Sequence, residues 1–371
     1  MKKLLLLVFC LLTTHLYISS APDEDWAIFF VRGINSNAQD QFPILTAFHE
    51  EFPQIPIVIA QIGDGGPQTT NRGLYHQLGD VYWDAKSNPI LAGKRVIVIG
   101  HSQGGLLARA FIEKYGHMLP FTIDSFLSCA GPHGGQFGLP NSWEEYVDLV
   151  IWHGDDLLLK QIASLLGIKN RSIEIENHGS ITVETAIRML AEPTASRDIL
   201  DPIKTAIAKL IKALIKKDFP LVRVIFYNFV GQDLISVANY WKDPNHKIEY
   251  LAFNEFLPYF NNEKDHKDAK QYKANIQKLN YLVMLCALND PVIKPDCSEV
   301  MRFYKWNSRI ELDSIFTDTD QYINNLLGLR DLYDSGRLFF EYPAGMGHDC
   351  GGNGVIIAMK YLRAIVNGNT P

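Results

Sequence analysis

The stretch RVIVIGHSQGG at residues 95–105 constrains the fold more than any other part of this chain. Its β-branched start favours an extended strand. The strand stops at a G-x-S-x-G centred on Ser102, and Leu106, Leu107, Ala108 and Phe111 continue with helical character. A serine held in a sharp turn between a strand and a helix sits at a strained φ/ψ. Side chains two positions to either side would collide there, which accounts for Gly100 and Gly104. The arrangement presents Ser102 at the carboxyl end of a strand as a candidate nucleophile.

Apolar runs at 27–31, 55–60, 96–99 and 123–130 are separated by helical or turn-rich segments, and two further runs fall at 281–288 and 337–342. This spacing predicts parallel strands joined by crossover helices, and 354–366 predicts a closing helix. The expected architecture is an α/β-hydrolase fold, with a mostly parallel central sheet, helices on both faces and a helical cap insertion. The expected division is a leader over 1–20, a first core part over 21–140, a cap over 141–275 and a second core part over 276–371. The middle reads as helical with little strand character. Asp201 and Pro202 look like the start of a helix, with Ile203, Ile207, Leu210, Ile211, Leu214 and Ile215 on one face and Lys204, Lys212, Lys216 and Lys217 away from it. Such a helix suits a cap packed over the core. It could also make transient contact with a membrane surface.

A serine hydroxyl alone is a poor nucleophile, so Ser102 needs an imidazole and a carboxylate to orient it. In this fold the chain order is serine, acid, histidine. Asp233 follows the apolar run 224–232. Asp290 follows the longer buried run 281–288 and precedes Pro291, which forces a turn. Asp290 is therefore the expected acid and Asp233 the alternative. His348 lies after the last strand on a glycine-containing loop and is the expected base, ahead of His101, His133 and His246. The backbone N–H groups of Gln103 and Ile34 are the expected oxyanion donors, with Gly33 letting the loop after the first strand turn inward.

A net charge of −6 argues against a nucleic-acid partner. Met1, Lys2 and Lys3 followed by apolar residues 4–12 and by Ser19, Ser20 and Ala21 have the form of a secretory signal. No later apolar run is long enough to span a bilayer, so the expected location is secreted or within the secretory pathway. Beyond Cys10 the chain has Cys129, Cys286, Cys297 and Cys350. Cys129 and Cys286 fall in apolar strands and read as packing thiols. Cys297 and Cys350 follow the acid and the base, which suggests a bridge between them. Asn170, in an Asn-x-Ser sequon, is a glycosylation candidate. No metal-ligand spacing is visible, and the chemistry calls for no cofactor.

The sequence resembles the palmitoyl-protein thioesterases, more closely the lysosomal thioesterase 2 branch. The likeness is carried by GHSQGGL at 100–106, DSFLS at 124–128, PHGGQFG at 132–138, NYWKDP at 239–244, NNEKDH at 261–266, NDPVI at 289–293 and MGH at 346–348. The resemblance places the family triad on Ser102, Asp290 and His348 and its oxyanion amides on Ile34 and Gln103. It implies hydrolysis of long-chain acyl thioesters, S-acylated protein or acyl-CoA, in a lysosomal or secretory setting. The runner-up activity is a lipase or carboxylesterase. Three features depart from the family pattern: an added helical stretch at about 145–221, Arg32 where a histidine usually stands, and the cysteine pattern.

Overall fold

A computed structural model of the chain describes residues 25–36, 42–138, 143–153, 156–176, 179–192, 196–217 and 219–370. The leader over 1–20 lies outside the described residues. Six strands form one sheet: β1 (Trp26–Val31), β2 (Ile57–Ile59), β3 (Arg95–His101), β4 (Thr122–Cys129), β7 (Tyr281–Leu285) and β8 (Leu338–Glu341). Their order is β2-β1-β3-β4-β7-β8, and every neighbouring pair is parallel. This is the α/β-hydrolase architecture read from the sequence. Every residue of β1 is buried, as are the central residues of β3, which explains why these strands read as continuous apolar runs.

Both faces of the sheet are covered. Helices α1 (Pro43–Glu51) and Asn353–Val366 bury Ile44, Phe48, Leu362 and Ile365 against one face. Helices α2 (Leu74–Ser87) and α3 (Gln103–Tyr115) bury Leu78, Val81, Leu107 and Phe111 against the other. From β1 the chain passes to β2 on one side, then to β3 on the other. The strand order reverses between β1 and β3, and ligands of open parallel sheets bind at the carboxyl ends of the strands beside such a reversal.

Between β4 and β7 the chain is mostly helical, with three corrections to the sequence reading. A hairpin, β5 (Ser172–Ile175) with β6 (Gly179–Thr182), interrupts the helices. Its alternation covers only four residues per strand, too few to stand out beside helical neighbours. The apolar run 224–232 is not a strand: it falls in helices Phe219–Phe226 and Phe229–Leu234, where the Asn228 side chain accepts the Val230 N–H at 3.0 Å.

The long helix Arg197–Lys217 also starts before Asp201, so Pro202 lies inside it rather than at its first position. The Ser196 carbonyl accepts N–H bonds from Ile199 and Leu200 and so begins the helix earlier. Its apolar face, Ile203, Ile207, Ala208 and Ile211, is buried in the protein. Lys204 donates to the Trp152 carbonyl, and Lys212 pairs with Asp148 on helix Trp143–His153. The buried residues of that face form a packing surface against neighbouring helices, and Leu210 and Leu214 are half-buried.

Candidate active site

The elbow forms as the sequence requires. Ser102 has φ 54° and ψ −132°, between the end of β3 and the first residue of α3, and only 8% of it is exposed. A Cβ on Gly104 would lie 2.2 Å from the Arg32 carbonyl oxygen, so only glycine lets α3 start this close to the loop after β1. A Cβ on Gly33 would sit 2.9 Å from the Ser102 Cβ. The requirement at Gly33 is therefore close approach to the serine rather than a special φ.

Asp290 and His348 meet Ser102 from the loops that follow β7 and β8. His348 Nε2 lies 3.0 Å from Ser102 Oγ, and His348 Nδ1 lies 2.6 Å from Asp290 Oδ2. The other carboxylate oxygen, Oδ1, accepts the N–H groups of Val292 at 2.6 Å and Ile293 at 3.2 Å, in the turn made by Pro291. Asp290 is buried, which alone would raise its pKa. The hydrogen bond and charge of His348, with those backbone donors, bring it below the usual carboxylate value instead.

His101 adds a second imidazole. Its Nε2 donates to the His348 carbonyl at 2.7 Å, and the two rings lie 5.2 Å apart. Burial, then the neighbouring His348, lower the His101 pKa to about 4. A neutral His101 thus pins the backbone that carries His348.

Gln103 stands at the first position of α3, where the backbone N–H has no partner within the helix. Ile34 lies in the turn after β1 and is half-buried. Thr69, which the sequence reading did not single out, holds both segments. Its Oγ1 accepts the Asn35 N–H at 2.6 Å, and its carbonyl accepts from the Gln103 side-chain amide at 2.9 Å. No local motif marks Thr69, because its role depends on the short 3-10 helix Gly66–Thr69 folding back over the elbow.

The expected bridge between Cys297 and Cys350 does not form. Cys350 is bonded to Cys129, and Cys297 is a buried free thiol, as is Cys286. The reason lies in strand register. Cys129 ends β4 directly opposite His101 of β3, beside the elbow that His348 must reach, and Cys350 follows His348 by two residues. Cys297 is instead held on the 3-10 helix Asp296–Val300, whose Ser298 bonds the Gly134–Gly135 backbone in both directions. The bridge closes a separation of 221 residues and tethers the His348 loop to the sheet. Replacing Cys129 and Cys350 together by serine should lower unfolding free energy by about 2–5 kcal/mol in denaturant melts. An unchanged midpoint would contradict that role.

Asp233 is not part of this cluster. It lies in the last turn of helix Phe229–Leu234 on the surface, where it pairs with His76 at 2.7 Å. Asn170 is exposed in a turn. Several motif segments turn out to brace the fold. Asn239 donates to Gln232 and accepts from the Leu74 N–H, holding the helical segment to the start of α2. Fully buried Arg109 of α3 bonds His133 Nδ1 at 3.1 Å, Glu113 at 2.7 Å and Asn261 at 2.6 Å, joining two other motif segments.

Residues 27–348 match the family model described as palmitoyl protein thioesterase. Palmitoyl-protein thioesterase 3 of Dictyostelium discoideum is 27% identical over 84% of this chain and 82% of its own length. Lysosomal thioesterase PPT2 is 26% identical in Bos taurus, over 86% of this chain and 80% of that protein, and 24% identical in Homo sapiens, over 86% and 81%. With an α/β-hydrolase sheet, a strained serine at its strand-order reversal and this match over most of its length, the chain is a hydrolytic enzyme and belongs to the palmitoyl protein thioesterase family.

Proposed function

We propose that this chain is a serine thioesterase that releases long-chain fatty acids from thioesters through an acyl-serine intermediate. The observation that carries this reading is His348 bridging Ser102 Oγ at 3.0 Å and Asp290 at 2.6 Å. In the proposed reaction, Ser102 Oγ attacks the acyl carbonyl while His348 Nε2 takes its proton. The Ile34 and Gln103 amides receive the developing oxyanion. As the carbonyl re-forms, His348 Nε2 passes that proton to the departing sulfur, which leaves as a thiol, and the neutral imidazole then deprotonates a water that attacks the acyl-serine. That step returns the proton to Ser102 and frees the acid.

The substrate class follows from the relatives, which carry thioesterase names, and those named lysosomal support a lysosomal setting reached through the secretory route. The elements between β4 and β7 are proposed to serve as a cap that shapes the acyl site. Burying each acyl methylene contributes on the order of 0.8 kcal/mol, roughly fourfold in kcat/KM, until the site is full. The test compares palmitoyl-CoA with a palmitoyl ester of an oxygen alcohol of matched size. We expect kcat/KM at least tenfold higher for the thioester. A preference for the oxygen ester would make the enzyme a lipase or carboxylesterase instead.

A further inference from the structure

One buried carboxyl stands next to the triad without a part in the mechanism above. Glu299 lies on the 3-10 helix Asp296–Val300, packed at the end of β7, and is fully buried. Its Oε2 accepts the Ala287 N–H at 2.7 Å. Its Oε1 is buried with no hydrogen-bond partner among the described residues. Glu299 and Asp290 are both anchored on Ala287, Glu299 through the Ala287 N–H and Asp290 through its own N–H to the Ala287 carbonyl at 3.0 Å, which sets the two buried carboxyl groups beside each other. Two carboxyl groups so placed in a low-dielectric interior share one proton, because two adjacent anions repel.

The partners decide where that proton sits. Asp290 accepts from His348 Nδ1, Val292 and Ile293, three donors that favour the anion. Glu299 accepts from one. Burial first, and then the Asp290 charge, hold the Glu299 carboxyl well above its usual range. The other titratable groups acting on it are Asp296, which adds negative charge from the same 3-10 helix, and the Cys286 thiol of the β7 end, which burial keeps neutral.

We propose that Glu299 is a positioning residue that donates its proton in a hydrogen bond to the Asp290 carboxylate, extending the chain of groups to Glu299–Asp290–His348–Ser102. This rests on the reading of Ser102, His348 and Asp290 as the catalytic groups. The bond fixes the plane of the Asp290 carboxylate and so keeps Oδ2 facing His348 Nδ1.

E299Q retains a donor toward Asp290 and an acceptor for the Ala287 N–H, whereas E299A removes both. The readouts are kcat and KM on palmitoyl-CoA and the rate at which a fluorophosphonate labels Ser102. In E299A, kcat and the labelling rate should fall at least tenfold with KM within twofold of the wild type. E299Q should restore both rates to within about threefold of the wild type. Equal losses in the two variants, or no loss in either, would overturn the proposal.

A thermal melt supplies a readout that needs no turnover. A glutamate neutral in the folded protein takes up a proton on folding at any pH above its unfolded pKa of about 4.3. Its contribution is therefore intact below that pH and is lost as pH rises toward the folded value. Glutamine carries no such penalty. The Tm of E299Q minus that of the wild type should grow steadily from pH 5 to pH 7.5, and a flat or shrinking difference would overturn the proposal. Failure of the proposed catalytic reading would show separately, as wild-type protein in which the probe does not label Ser102.

Discussion

Replacing Ser102 by alanine should lower kcat on an acyl thioester by roughly 10⁴- to 10⁶-fold while leaving the fold and substrate binding nearly unchanged. Alanine has the same Cβ as serine, so the contact with Gly33 and the backbone strain at φ 54° persist in the variant. The Ser102 N–H continues to donate to the Cys129 carbonyl at 2.9 Å. The group removed is the hydroxyl, whose contact is with His348 Nε2 at 3.0 Å. A hydroxyl facing an imidazole contributes only on the order of 1 kcal/mol to stability, so Tm should move by a few degrees at most. The residual rate should come from the proposed oxyanion donors, the Ile34 and Gln103 amides, and from binding, which hold the thioester in place without a nucleophile. Single-turnover assays with palmitoyl-CoA, beside a binding measurement, check this. A residual rate above one percent of the wild type would mean that another group attacks the carbonyl.

How far the sequence discloses this site depends on which relations are local. The elbow is local: Gly100, Ser102 and Gly104 lie within five residues, and the steric need that selects them acts over that distance. The sheet was legible because a strand covered on both faces is a continuous apolar run, as in β1 and β3. Asp290 was legible because it follows such a run in β7, and His348 because it follows the apolar edge strand β8, each standing where the chain leaves a strand end. Asp233 competed only while 224–232 could pass for a strand, and Asn228 ends that ambiguity by capping a helix.

Relations set by register or by a fold-back were hidden. The partner of Cys350 follows from Cys129 lying opposite His101, which no spacing along the chain encodes. Thr69 and Glu299 act through contacts made by short 3-10 helices that carry no periodic signal. The bracing segments around Asn239 and Asn261 were visible as family likeness. Their work was not, because it consists of buried bonds to α2 and α3 across more than a hundred residues.

The Asp290→Asn variant should lose about 10⁴-fold in kcat with little loss of stability, for a reason the hydrogen bonds make specific. Oδ1 of Asp290 accepts two backbone N–H groups, from Val292 and Ile293. An asparagine must keep its oxygen on that side, since its amide nitrogen cannot accept. The amide NH₂ then takes the place of Oδ2, 2.6 Å from His348 Nδ1 in the native protein. Two donors cannot face each other, so Nδ1 gives up its hydrogen and becomes the acceptor, and the ring hydrogen moves to Nε2. Nε2 then donates to Ser102 Oγ and cannot remove the hydroxyl proton. The retained Val292 and Ile293 bonds hold the turn, so the melting temperature should stay close to that of the wild type. In Asp290→Ala those N–H groups lose their acceptor, and stability should fall along with activity. A loss under tenfold for Asp290→Asn would show that the carboxylate does not set the tautomer of His348.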